Sequence, residues 1–190
     1  MGHQHHSTDI QQYLDRSFSN PRARSAYEQF FVDSLLYSHQ VAPQRWVITH
    51  NRDHLNINVG LMHTLMLRND WLEVMVDYSS MPELAPNIDV GFAASEPDPL
   101  VGIYPSVPGS TYTYFDPDLF DQYASVVWDA HRRIIDKAAV TRMNPGVCAK
   151  HTPAALTYFA QHQQAYLESH YHMSGLPQSH YTHKKTPPTR

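Results

Sequence analysis

The chain has a single cysteine, Cys148, among 190 residues. No intrachain disulfide can form, which fits a reducing compartment. A lone thiol is more often a small buried hydrophobe than a nucleophile. Long apolar runs are also missing. The longest, such as Leu65 to Leu67, are far too short to span a bilayer. The polar, histidine-rich residues 1–12 contain no apolar signal-peptide core. Cytoplasmic localisation without a membrane partner is the expectation.

Charge of one sign is absent from a long stretch. Between Asn69 and His131 there is no Lys or Arg, but there are eleven Asp or Glu. From Arg132 onward eight basic residues stand against Asp136 and Glu168, and the first 68 residues carry six basic and five acidic side chains. A polyanion would be drawn to the last third and repelled by the middle. Alternatively, the two regions complement each other within the fold.

Several chemical signatures are incomplete. There is no P-loop, no Gly-x-Ser-x-Gly elbow and no glycine fingerprint of a dinucleotide fold. Gly102-Ile103-Tyr104 matches half of the GIY-YIG nuclease signature, but Tyr112-Thr113-Tyr114 follows without the Ile-Gly pair. His50-Asn51 with His54 suggests an HNH site, yet a strand pattern follows where that site needs a helix. Fourteen histidines raise the question of zinc, but His170, His172, His180 and His183 lie in or beside the tail with no cysteine cluster. No cofactor is expected.

What is present has two periods. Ile10, Tyr13, Leu14 and Phe18 recur at helical spacing, giving a helix over 8–18. Asn20-Pro21 opens a second helix to about His39, with a capping residue and then proline in the first turn. From Arg45 the period drops to two. Strand patterns occupy 46–50, then 55–67 with Gly60 as a bulge, and 72–78 after a turn at 68–70. Residues 79–99 read as a long acidic, proline-rich loop. Two further strands, 100–104 and 111–115, flank the turn Pro105 to Ser110. Asp116-Pro117 opens the longest helix, to about Arg142, and Thr152-Pro153 opens the last.

This order predicts an α+β fold: an antiparallel sheet of about five strands, an N-terminal helical hairpin and two C-terminal helices. The expected organisation is a His-rich tail (1–7), one domain (8–174) and a disordered tail (175–190).

Two features carry candidate chemistry. His131, Arg132, Arg133, Lys137, Arg142, Lys150 and His151 gather on the long helix and the segment after it, where they could position phosphates. Tyr104, Ser110, Tyr112 and Tyr114 offer ring faces and a hydroxyl that could stack on a base. Each has an ordinary alternative, a solvated helix face and alternating strand faces. His131 is either a satisfied core histidine or an anion contact or general base. Glu73 and Asp77 read most simply as the solvated side of a strand.

Ala130 to Ala139, then Asn144-Pro145 and Lys150 to Leu156, resemble a region upstream of the nuclease in bacterial HNH-nuclease-like proteins of unassigned role. The Val107-Pro108-Gly109-Ser110 turn and Leu176-Pro177-Gln178 are similar too, so the likeness covers much of 100–180. This chain departs from that pattern by ending where the nuclease should begin. The resemblance implies an accessory or recognition domain, associated with defence or restriction and with a nuclease partner.

The resulting expectation is a non-catalytic module that binds nucleic acid or a nucleotide-like ligand. One alternative is a metal-dependent hydrolase drawing ligands from His50, His54, His63, Asp77 and His131. The other is an interaction protein whose helices form a homo-oligomer or partner surface.

Overall fold

The computed structural model describes residues 5–43, 45–50, 54–60, 62–68, 71–77, 79, 89–92, 110–141, 155, 158, 159 and 161. The chain is α+β. Helix α1 spans His5–Ser17 and α2 spans Pro21–Val41. Strands β1 (Trp46–His50), β2 (His54–Val59), β3 (Met62–Arg68) and β4 (Trp71–Asp77) form a meander. Strands β5 (Asp89–Phe92) and β6 (Ser110–Phe115) follow, then a 3₁₀ turn over Pro117–Gln122 and helix α3 over Ala124–Ala139. All six strands join one sheet in the order β1-β2-β3-β4-β6-β5, with antiparallel neighbours throughout.

Asn20 caps α2 as its sequence implies. Its side chain accepts from the Arg22 N–H at 3.0 Å, and Pro21 occupies the first turn, where no intrahelical N–H partner is needed. The turn between α1 and α2 is clipped to the 3₁₀ turn by Asp118, whose carboxylate accepts from the Ser19 N–H (2.6 Å), the Asn20 N–H (2.7 Å) and the Ser19 hydroxyl. Asp116 caps the 3₁₀ turn by accepting from Asp118 N–H at 3.0 Å. The helix expected to run unbroken from Asp116 is therefore two segments hinged at Tyr123.

Three other expectations change. Gly60 is the turn between two strands, not a bulge inside one. Its φ is +55°, and an added Cβ would collide with the Thr141 hydroxyl and the Ala138 carbonyl, so glycine is required there for both conformation and space. The bulge lies nearby in β3: Ile57 pairs with Leu65 but Asn58 with His63, leaving Thr64 extra, its hydroxyl donating to the Ile57 carbonyl at 3.2 Å. Strand β5 falls inside the stretch read as a loop. The expected strand 100–104 and the 175–190 tail lie outside the described residues, and α1 begins at His5, within the segment read as a tail.

Opposed residues of an antiparallel ladder share a face, so the register sorts the sheet into two. One face carries Trp46, Ile48, Leu55, Ile57, Val59, Leu65, Leu67, Leu72, Val74 and Phe115, all buried. Helices α2 and α3 pack on it. Phe30 of α2 meets Phe120 and Trp128 edge-on at 5.2 and 5.4 Å, and Phe115 reaches Phe120 at 5.5 Å. Tyr13 of α1 donates to the Leu67 carbonyl at 2.7 Å. Ala155, Tyr158 and Phe159 are helical and buried, and Phe159 stacks on Phe31 at 4.1 Å. Among the described residues no helix is long and apolar enough to cross a membrane.

Candidate functional site

The second face of the sheet is built from the alternate residues. Thr49 opposes Asn56, Asn56 opposes Met66, Met66 opposes Glu73, and Glu73 opposes Tyr114, so one row of side chains crosses β1, β2, β3, β4 and β6. Beside it Asn58 opposes His63, and Met75 opposes Tyr112. At the end of the β3–β4 ladder Arg68 opposes Trp71. Asn56, Asn58 and Met75 are buried, while His63, Met66, Glu73, Tyr112 and Tyr114 are half-buried. Trp71 is 44% exposed and meets Tyr114 edge-on with ring centroids 6.2 Å apart.

Part of this face is internally satisfied. The Thr49 hydroxyl donates to Asn56 Oδ1, and Asn56 Nδ2 lies 3.0 Å from His63 Nδ1. The amide can only donate there, so His63 accepts through Nδ1 and is neutral. Burial, and then the neighbouring His54, lower the His63 imidazole to about 4. Asn58 Nδ2 is buried with no hydrogen-bond partner among the described residues.

Glu73 is not satisfied. Burial raises its carboxyl to about 6, opposed only by the exposed Arg68 guanidinium. Among the described residues no side chain donates a hydrogen bond to it, and Arg68 forms no ion pair with it. Tyr114 stands directly across from it and Tyr112 diagonally. Burial, followed by the Glu73 charge, raises both phenols, so each remains an O–H donor. The result is a partly desolvated carboxyl that shares its sheet face with two phenols on the neighbouring strand and with an accessible indole.

The residues singled out by sequence are divided between the two faces. Tyr112 and Tyr114 lie on the second face. His131 is wholly buried on the helix-packed face, where Nδ1 donates to the Met75 carbonyl at 2.8 Å and Nε2 accepts from the Ser34 hydroxyl at 2.9 Å. Burial lowers this imidazole to about 4, against the Met75 bond that favours protonation. His131 thus joins α3 to α2 and β4, and its ring does not reach solvent to meet an anion. Arg132 and Arg133 are exposed on α3. Arg132 reaches Asp129 at 3.9 Å and lies over the Tyr37 ring at 5.6 Å, and Tyr37 in turn donates to Asp136 at 2.6 Å.

Lys137 donates to Asp77 at 2.9 Å. Burial alone would raise the Asp77 carboxyl, but the bonds from Lys137 and Ser79 outweigh it and hold it below the usual range. Among the described residues this pair and the Arg132–Asp129 pair join the acidic middle to the basic last third. Ser110, expected in a turn, is the buried first residue of β6. Tyr104, Arg142, Lys150 and His151 lie outside the described residues.

The histidines and acids weighed as metal ligands do not converge. His50 sits on the helix-packed face against the Tyr13 ring at 5.3 Å, His63 is on the second face, and Asp77 is engaged by Lys137. Among the described residues no group of three His, Cys, Asp or Glu side chains is placed to hold a metal ion.

Sequence reasoning passed over Trp71 and read Glu73 as a solvated position. The available signal was the pair of alternations Trp71-x-Glu73 and Tyr112-x-Tyr114, which an antiparallel pairing brings onto one face. No family model, curated protein or solved structure matches the chain.

Proposed function

We propose that this protein is a non-catalytic binding module that takes a flat, nucleobase-like ligand on the second face of its sheet. The observation that carries the reading is the half-buried Glu73 carboxyl, which receives no hydrogen bond from the described residues, on one sheet face with Tyr114 opposite it, Tyr112 on the diagonal and the accessible Trp71 ring two residues along its own strand. A partly desolvated carboxyl without partners is a cost to the folded chain. A ligand that donates N–H groups to it offsets that cost, and the rings supply stacking area.

The reading favours a ligand of nucleoside or mononucleotide size over a nucleic-acid strand. A strand needs several cations along one track. Among the described residues, Arg68 is the cation beside these rings, whereas Arg132 and Arg133 belong to the helix packed on the other side of the sheet.

Calorimetric titration with adenosine, cytidine, their monophosphates and a short single-stranded oligonucleotide, at low and moderate salt, tests the proposal. Nucleosides and monophosphates are expected to bind with similar affinity. Oligonucleotide binding is expected to change little with salt, because about one phosphate contact gives a log–log slope near one. Trp71→Ala and Tyr114→Ala are expected to abolish binding. Absence of binding by every compound at low salt overturns the reading.

A further inference from the structure

Charge decides which kind of ring this face would hold. The segment from Asn69 to His131 supplies Trp71, Glu73, Tyr112 and Tyr114, and it contains eleven acids and no Lys or Arg. Among the described residues, the charged group acting on Glu73 is Arg68 from β3; Tyr112 and Tyr114 of β6 feel the Glu73 charge in turn, Asp89 of β5 stands opposite Tyr114 in the same row, and Met66 opposes Glu73 as an apolar neighbour. Arg68 is exposed at the strand end and leaves the carboxylate unpaired.

A carboxylate that shares a sheet face with aromatic rings complements a cation twice over. The opposite charge compensates its desolvation, and the negative faces of indole and phenol attract a cation through their quadrupoles. A neutral ring supplies hydrogen bonds but leaves the ionised carboxylate uncompensated.

Resting on the binding reading above, we propose that the ligand of this face is a heteroaromatic cation, a nucleobase-like ring made positive by alkylation of a ring nitrogen. Glu73 neutralises its charge, while Trp71, Tyr112 and Tyr114 contact its faces and edges. The site would distinguish an alkylated base from its unmodified parent by charge, with shape a secondary criterion. Because burial raises Glu73 to about 6, the preference is strongest above that pH and fades below it, as the carboxyl takes up its proton.

The test compares 1-methyladenosine, a cation at neutral pH, with adenosine by calorimetry on the full chain. At about pH 7.5 the methylated nucleoside is expected to bind about tenfold tighter, equivalent to ~1.4 kcal/mol. Between about pH 7.5 and pH 5 that ratio is expected to collapse toward one. Glu73→Gln is expected to abolish the preference, and Glu73→Asp, which retains the charge, to keep part of it. The readout is a ratio of affinities within one protein, so a general weakening does not disguise it, and the pH series on the unaltered chain needs no variant to fold. Equal affinities at about pH 7.5, or a preference that persists in Glu73→Gln, overturn the cation assignment while leaving the binding module standing. Failure of both nucleosides to bind overturns both.

Discussion

His131 and Glu73 lie on opposite faces of the same sheet, and both are ionisable groups withdrawn from water, but the protein treats them differently. His131 is neutral and both ring nitrogens are occupied, one by the Met75 carbonyl and one by the Ser34 hydroxyl. Ser34 is itself fixed, its own carbonyl accepting from the Ser38 hydroxyl at 2.6 Å. Glu73 has two phenols and an indole around it and accepts from none of the described residues. A buried polar group whose partners are complete holds elements together. One whose partners are missing lowers stability unless a group from outside the chain supplies them.

That contrast can be broken most forcefully at His131. His131→Ala leaves the Ser34 hydroxyl and the Met75 carbonyl without partners and opens a cavity between α2, α3 and β4. Chemical denaturation should show a loss of about 3–5 kcal/mol. The unaltered chain should also be acid-labile. The folded pKa of His131 lies below its unfolded value, so its contribution is complete above about pH 6.5 and is lost as pH falls toward 4, amounting to about 3 kcal/mol. His63 acts in the same direction. A stability profile that is flat between pH 6.5 and 4 would contradict the assignment of either ring as buried and neutral.

Glu73→Gln should do the opposite. The folded carboxyl holds its proton up to about 6, so the charge it carries above that pH works against folding. Thermal denaturation at about pH 7.5 should show a gain of about 1–2 kcal/mol, shrinking to nothing near pH 4. A loss of stability at neutral pH would mean that the carboxylate has a structural partner. The smallest effect is expected at Trp71. Trp71→Ala should change stability by about 1 kcal/mol or less, because the ring is partly exposed at the ladder end, and yet should eliminate ligand binding. A fold that depends on Trp71 would remove the distinction between the two faces.

Much of this architecture was legible in the sequence, because the change from helical to alternating spacing at Arg45 marks where α2 yields to the meander. Asn20-Pro21 announced the α2 cap equally well. Strand β5 was hidden because Asp89 and Gly91 are poor strand formers, and its place in the sheet comes from pairing with β6. Gly60 signalled a break, but alternation alone could not separate a bulge from a turn. The closeness of Thr141 and Ala138, far along the chain, explains why that residue must be glycine.

The candidate site was half legible. Tyr112 and Tyr114 stood out as rings at alternate positions, but the linear order gave no sign that α3 covers the opposite face. The sheet sets Arg132 and Arg133 on the helix side and Tyr112 and Tyr114 on the other, while Lys137 of the same helix reaches Asp77 at the end of β4. Glu73 was read as solvated because it alternates with Leu72, Val74 and Val76. That placed it correctly on the other face, but its neighbours Met66 and Tyr114 are brought alongside only by the register between strands.

The most direct test is an NMR titration of the Glu73 side-chain carboxyl in the full chain, alone and with saturating 1-methyladenosine. The account predicts a midpoint near 6 for the free protein and a fall of about one pH unit or more with ligand bound, since a cation beside the carboxylate favours its ionised form. A midpoint in the ordinary glutamate range for the free protein, or one that the ligand leaves in place, would contradict it.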